Sequence, residues 1–508
     1  MAVGSGDSEM RAGGRRWPQV QDSVPTHDGS AHAAPENESH RRGSFFGRGA
    51  AYVLVWSLQV VVTAIVSPVM AHLVSANSFG QLASALALHQ FLLVVAVLGM
   101  DHAILLASSE RGRPAARNVA FAASILPIGV TLLALTTISV WAPVAGFPKH
   151  APILVPTILW TAPAGMCQAY LAVLRSADDL RRFSIVSIVA AIGGQVVGIG
   201  LAILVHRSVS LYAWGGVVAQ SVAVLLGMCW TRPTLRGMVG RRVVAAFKIG
   251  IPLAVGALAF FILNMGDRII IQRELGSASV GRYQVAYILG SVLMLMLGFL
   301  NQSWEPLILA IPGRVKRYEV DARVRATMID IVTPLPIALI LMAPPVLAVL
   351  TPRSYRQAGL LAVVAWISLA ALPAIFVNAG QRLLIAERRA LTVGTCVTIA
   401  AGANIVLNFL LIPRFGITGS AAATTLALLL QALVLDISLG RRAGLMRFRR
   451  SSGFRLLAAA VLSLGAVVLP TSGSSALAVR MMLAMLAASL AFVYYLNARH
   501  RERSLHAK

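Results

Sequence analysis

The chain has 508 residues, 57% of them hydrophobic and 12% charged, with a mean hydropathy of +0.76. Soluble domains carry about 25% charged residues; half that share, with apolar runs about 20 residues long, excludes a soluble globular protein and fits one that crosses a membrane many times. The net charge of +25 comes from 44 Lys and Arg against 19 Asp and Glu, and its cations sit in short loops between apolar runs, so it reads as membrane topology and implies no nucleic-acid partner.

Residues 1–43 mix Gly, Ser, Pro, His and acids with almost no aromatics, and read as a disordered cytoplasmic tail. Fourteen apolar segments long enough to cross a bilayer follow, centred near residues 60, 92, 130, 163, 193, 219, 260, 293, 338, 372, 401, 428, 461 and 486. Prolines such as Pro68, Pro127, Pro163, Pro252, Pro334 and Pro373 punctuate them. Proline frees a carbonyl, which membrane helices tolerate when a neighbour or cavity water satisfies it. With the N-terminus inside, the inner segments hold 35 of the 44 cations and the outer side with its helix ends holds nine. Every inner loop is richer than its outer neighbours, which predicts fourteen spans in the cytoplasmic membrane with both termini inside. The expected organisation is the 1–43 tail, a six-helix half at 44–232, a second at 233–440, two more helices at 441–498 and a cytoplasmic end at 499–508.

Cys167, Cys229 and Cys396 lie in or beside spans with no metal-type or disulfide-type spacing. No Gly-rich stretch ends in Gly-Lys-Ser/Thr, no His-Glu-x-x-His occurs, and the outer connections are roughly ten residues or fewer. The chain therefore reads as a transporter with no catalytic site, metal or cofactor.

Few charges fall near membrane depth. Asp330, Glu387 and Asp436 lie toward inner ends, where loop arginines can pair with them. Arg480 opens the fourteenth span and is expected to snorkel to the surface. Asp267 and Arg268 end the seventh span: nineteen residues beyond Lys248, at 1.5 Å each, is roughly 29 Å, close to the full hydrocarbon thickness. Neighbours on an α-helix point about 100° apart, so the two are expected not to pair with each other but to find a partner on the opposite half, in water or on a ligand. Asp101, near the inner end of the second span, and Arg382, in the inner part of the tenth, are comparable suspects. Amides at span depth, among them Asn264, Asn301, Asn378, Gln381, Asn404 and Asn408, either line a cavity or bond between helices. The candidate substrate-binding set is Arg268, Asp267, Asn264, Asp101, Arg382, Gln381 and Asn378.

The chain also repeats. SANSFGQLASALAL (75–88) aligns with GSASVGRYQVAYIL (276–289) at an offset of 201, and HRSVSLYAWGG (206–216) and PRFGITGSAAA (413–423) occupy matching places after the fifth helix of each half. The offset spans six helices, an even number, so the halves are parallel repeats about an axis along the membrane normal.

NFLLIPRFGITGSAAATTLA (408–427), GDRIIIQRELGSASVGRYQVAY (266–287) and SANSFGQLASALAL with VLGMD (75–101) resemble three junctions of the polysaccharide, or lipid-linked oligosaccharide, flippases of the multidrug/oligosaccharidyl-lipid/polysaccharide exporter superfamily. The resemblance covers roughly residues 44–440. It implies an all-α fold of two six-helix lobes around a central cavity, working by alternating access on a polyprenyl-diphosphate-linked oligosaccharide, with membrane lipids and glycan-assembly enzymes as partners. On that reading Arg268 attracts the diphosphate, and Asp267 holds a cation of the facing lobe when the outer gate is shut. A multidrug cation antiporter of the same fold, or a lipid II flippase, is the alternative. The first would want carboxylates deep in the N-terminal half, where only Asp101 is on offer.

Overall fold

A computed structural model describes residues 62, 65–148, 151–205, 208–235, 240–355, 359–440, 444–445 and 450–506. The expected 1–43 tail and most of the first expected span lie outside them. "Outer" and "inner" below follow the sidedness expected from the loop charges.

Within a bilayer every backbone polar group must be satisfied internally, and long apolar runs do so as helices. The described residues contain helices and no strand. In the first half, residues 65–73 (α1) lead to Ser75, whose Oγ accepts from the Ser78 N–H at 3.2 Å and caps α2 (Ala76–Val97). Next come α3 (Met100–Thr136), interrupted at Gly112, α4 (Ile138–Val144) and α5 (Leu154–Ser176). A π turn (Val189–Gly193) joins α6 (Leu180–Ile188) to α7 (Gly194–Val205), and α8 (Val209–Thr231) follows.

In the second half a π turn (Ile262–Gly266) joins α9 (Gly240–Phe261) to α10 (Asp267–Leu275). Then come α11 (Ser277–Gly290), α12 (Val292–Leu309), α13 (Arg314–Val332), α14 (Pro334–Leu350), α15 (Leu360–Leu369), α16 (Ala371–Ala386) and α17 (Ala390–Leu439). Eleven described stretches are long and apolar enough to cross a membrane. Two of them, Ala76–Thr136 with 61 residues and Ala390–Leu439 with 50, are too long for one crossing of about 20 residues. The second reverses at Gly416, whose φ of 57° suits glycine. Thirteen of the fourteen expected spans thus fall on described helices.

The first half packs α5 against α3 and α8; the second packs α17 against α16 and α15. The halves meet where α2 crosses α11. A Cβ placed on Gly80 would lie 1.7 Å from the Ser277 carbonyl oxygen, and one on Gly281 would lie 2.1 Å from that of Ala76. Ala76 and Ser277, like Gly80 and Gly281, are 201 residues apart, so the repeat read from the sequence is also a reciprocal contact in space. Farther in, Phe91 faces Phe261 with ring centroids 5.9 Å apart, and Gly99 lies against Gly250. The seam between α2 and the α9–α11 stretch therefore runs from the outer to the inner side.

The two additional helices, α18 (Arg450–Val468) and α19 (Ser474–His506), pack on α14. Arg455 pairs with Asp330, and Arg314 (2.8 Å) and Arg389 (3.6 Å) pair with Glu387, as expected for acids near inner ends. Arg480 does not snorkel. It is 1% exposed and donates to the carbonyls of Ala466 (2.9 Å), Leu469 (2.7 Å), Pro470 (2.9 Å) and Ile340 (3.5 Å). The reason is the end of α18: its last carbonyls have no intrahelical donors, and a guanidinium folded back from α19 supplies them.

Arg480→Ala leaves several of these carbonyls unpaired, at about 1–3 kcal/mol each where no water reaches them. A clear fall in melting temperature in detergent is expected, with Arg480→Lys intermediate.

Candidate functional site

The seventh span ends in charge because of a break in its helix. Residues 262–266 wind as a π turn, which inserts one residue into the α ladder and changes the facing of everything beyond it. Arg268 then folds back over the preceding turn, the direction long side chains take on a helix. Its Nη1 donates to the Asn264 carbonyl at 2.6 Å and to Asp267 Oδ1 at 2.5 Å, and its Nε donates to Gln284 Oε1 at 3.1 Å. Tyr283 donates its hydroxyl to Asp267 Oδ2. The Tyr287 ring lies under the guanidinium, 3.9 Å from Cζ to centroid, and Tyr287 Oη reaches the Asn264 carbonyl at 3.4 Å. Asp267 is 1% exposed and Arg268 3%.

Two expectations are corrected here. Asp267 and Arg268 do pair with each other, because the arginine stem is long enough to fold back across the π turn. Asp267 does not hold a cation of the opposite half, since both its oxygens are taken by Arg268 and Tyr283 of its own half. Arg273 and Glu274 form a partly exposed pair at 3.5 Å.

Below this cluster lies a cavity of about 110 Å³ lined by Asn264 and Tyr287 on one side, Asn378 and Gln381 of α16, and Thr424 and Gln431 of α17, with apolar side chains between. Its volume and polar walls suit a few waters. Asn378 also lines a second space of about 20 Å³, with Asn301, Trp304, Arg325 and Arg382. Here Asp321, fully buried, accepts from Arg382 Nη2 at 2.8 Å and from Arg325 Nη1 at 3.1 Å. Arg325 Nη2 reaches the Gly444 carbonyl at 3.3 Å, and Arg382 Nη1 donates to Asn301 Oδ1. Arg382 Nε is buried with no protein partner among the described residues.

Six of the seven expected site residues thus form one polar column in the second half: Asp267 and Arg268, then Asn264, Gln381 and Asn378, then Arg382. Asp101 stands apart, at the start of α3, paired with His102 at 3.1 Å. Sequence reasoning misses Tyr283, Tyr287, Gln272 and Asp321. The tyrosines at i and i+4 share a helix face, a signal that could have marked them. Asp321 carries one too, as an acid four residues before Arg325, but its basic surroundings read as a solvated loop.

The profile of a family described as "Polysaccharide biosynthesis protein" matches residues 69–359. That stretch includes the junctions at 75–101 and 266–287 and stops short of the one at 408–427. No curated protein matches in sequence. Among solved structures, the lipid II flippase MurJ in an inward closed conformation superposes with a TM-score of 0.67 at 14% identity, covering 87% of this chain and 99% of that one. An inward-facing multidrug resistance transporter of the MATE family, in the MOP superfamily, gives 0.56 at 14% identity, covering 78% and 98%. An outward-facing multidrug resistance transporter of the MATE family gives 0.51 at 14% identity, covering 78% and 95%. At these identities the likeness is one of fold.

Asp267→Asn leaves a buried guanidinium without its counter-charge, a change that costs about 3–5 kcal/mol in comparable sites. It should lower the melting temperature sharply, as should Arg268→Ala. The double variant Asp267→Asn/Arg268→Gln should recover part of the loss. Arg273→Ala and Glu274→Ala, on an exposed pair, should stay within about 1 kcal/mol of the parent.

Proposed function

The chain belongs to the polysaccharide biosynthesis protein family, and from that membership and the polar column we propose that it is a flippase carrying a polyprenyl-diphosphate-linked oligosaccharide from the cytoplasmic to the outer leaflet. The observation that carries this reading is the way two repeated halves touch along α2 through glycines and small residues, while buried polar groups collect behind the seam. Two halves related by a parallel repeat and meeting along one seam are what alternating access by rocking requires. The sugars and diphosphate would pass through the hydrated interior while the prenyl tail stays in lipid.

Arginine suits the diphosphate because its planar fork binds phosphate oxygens. Arg268 has its Nε and one amino group committed within its own half. Arg382 has a buried Nε with no protein partner among the described residues, and its side chain lines the smaller space. Moving one negative charge outward down an inside-negative potential of 100 mV releases about 2.3 kcal/mol, so a diphosphate can be driven without a nucleotide. A multidrug cation antiporter finds less support, since Asp101, the one carboxylate expected at depth in the first half, is already paired with His102.

Purified protein in proteoliposomes should translocate a fluorescent lipid-linked oligosaccharide and leave cationic dyes unmoved; the reverse pattern overturns the assignment. Asn378→Ala and Gln381→Ala, which remove no ion pair, should slow translocation several-fold with little change in melting temperature, and Arg382→Lys should keep only part of it. For sidedness, a cysteine at Arg353 should label from outside intact cells and one at Arg317 should not.

A further inference from the structure

A lock between the outer ends of the two halves is expected to be charged, and one set of contacts there is uncharged. Gln272, at the outer end of α10 and 3% exposed, spends its whole amide across the seam and on its own cap. Its Oε1 accepts from Ser84 Oγ of α2 at 2.9 Å. Its Nε2 donates to the Gly146 carbonyl, in the loop after α4, at 3.0 Å, and to Ser277 Oγ at 2.9 Å. A carbonyl can only accept, so Gly146 fixes which end of the amide points where. On the other arm of the α2–α11 crossing, Tyr355 donates its hydroxyl to the Val74 carbonyl at 3.1 Å and sets its ring edge-on to Phe79 at 6.2 Å. Between the two arms lie Gly80 and Gly281. The repeat does not account for Gln272: 201 residues earlier stands Ala71, and the counterpart of Ser84 is Val285. One symmetric position carries a polar latch and its twin is apolar.

We infer that Gln272, held to register by the Gly80–Gly281 crossing, latches the outer gate, which opens by exchanging the Gln272 hydrogen bonds with incoming water while the Asp267–Arg268 pair stays closed. This rests on the alternating-access reading. It follows from where the charges are: the Asp267–Arg268 pair lies one turn inward, closed within its own half, and can ride unbroken as the halves part. A gate held by neutral hydrogen bonds is weak enough to open in each cycle, because water replaces what is lost. One held by a desolvated ion pair would resist.

The test reads accessibility and needs no transported substrate. In a chain with Cys167, Cys229 and Cys396 replaced, a cysteine at Gln90 serves as reporter; this polar, exposed side chain lies on α2 below the crossing. Labelling by a membrane-impermeant maleimide from outside is expected to be slow. Gln272→Met keeps the volume and removes the hydrogen bonds, so labelling should rise about tenfold. Gly80→Ala should raise it further, while Gly298→Ala, with open space at its Cβ, should not change it. Gln272→Met labelling at the parent rate overturns the latch. If Gln272→Met opens the mouth but no lipid-linked oligosaccharide moves, the latch stands and the cargo assignment fails.

Discussion

Two helices from different halves of the chain cross with backbone against backbone, and the rest of the arrangement follows from that. Lipid gives no hydrophobic reason for helices to associate, so close approach through small residues takes over. At the α2–α11 crossing there is no room for a Cβ on Gly80 or Gly281. The contact is isologous in miniature: the same surface of each repeat is used, and Gly80 meets Ser277 as Gly281 meets Ala76. Such a contact fixes register, since sliding either helix by one residue drives a side chain into a carbonyl. With register set, the end of α10 falls beside α2 and the loop before α15 falls beside Val74. Gln272 and Tyr355 find their partners for that reason.

The fold is symmetric and its chemistry is not. The buried ion pairs Asp267–Arg268 and Arg325–Asp321–Arg382 all belong to the second half. Buried pairs add little net stability, but removing one member is costly. Their effect is to tie α10 to α11 and α13 to α16; the Gly444 carbonyl, in the stretch leading to the added helices, is tied to α13 through Arg325. The second half is thereby braced from within, and α18 and α19 brace α14 from outside. Motion along the seam then costs hydrogen bonds and van der Waals contact, and none of these pairs has to be broken.

What can be read in advance follows the same division. Hydropathy locates the spans because each carries about 20 apolar residues whatever they touch, and the 201-residue offset locates the crossing because Ser-x-Gly recurs at two helix starts. Pairing is not legible. The 100° argument for Asp267 and Arg268 assumes an uninterrupted α-helix, and nothing in ILNMG announces a π turn. Arg480 looks like a surface residue because its acceptors are carbonyls, which sequence does not distinguish. Asp321 is hidden among Arg317, Arg323 and Arg325, which resemble a solvated loop until α16 brings Arg382 alongside.

The charges that end the seventh span therefore answer to structure before function. A guanidinium has five N–H donors in a fixed fork. In Arg268 three of them, on Nε and Nη1, are directed at Asn264, Asp267 and Gln284 of its own half, over two tyrosine faces, so most of the fork is committed before any phosphate arrives. Arg382 differs in one respect: its amino groups hold Asp321 and Asn301, and its Nε is buried with no protein partner among the described residues. The two arginines mark the ends of one column. On the proposed flippase reading, a cargo arriving from the cytoplasmic leaflet would meet Arg382 before it reached the Asp267–Arg268 pair.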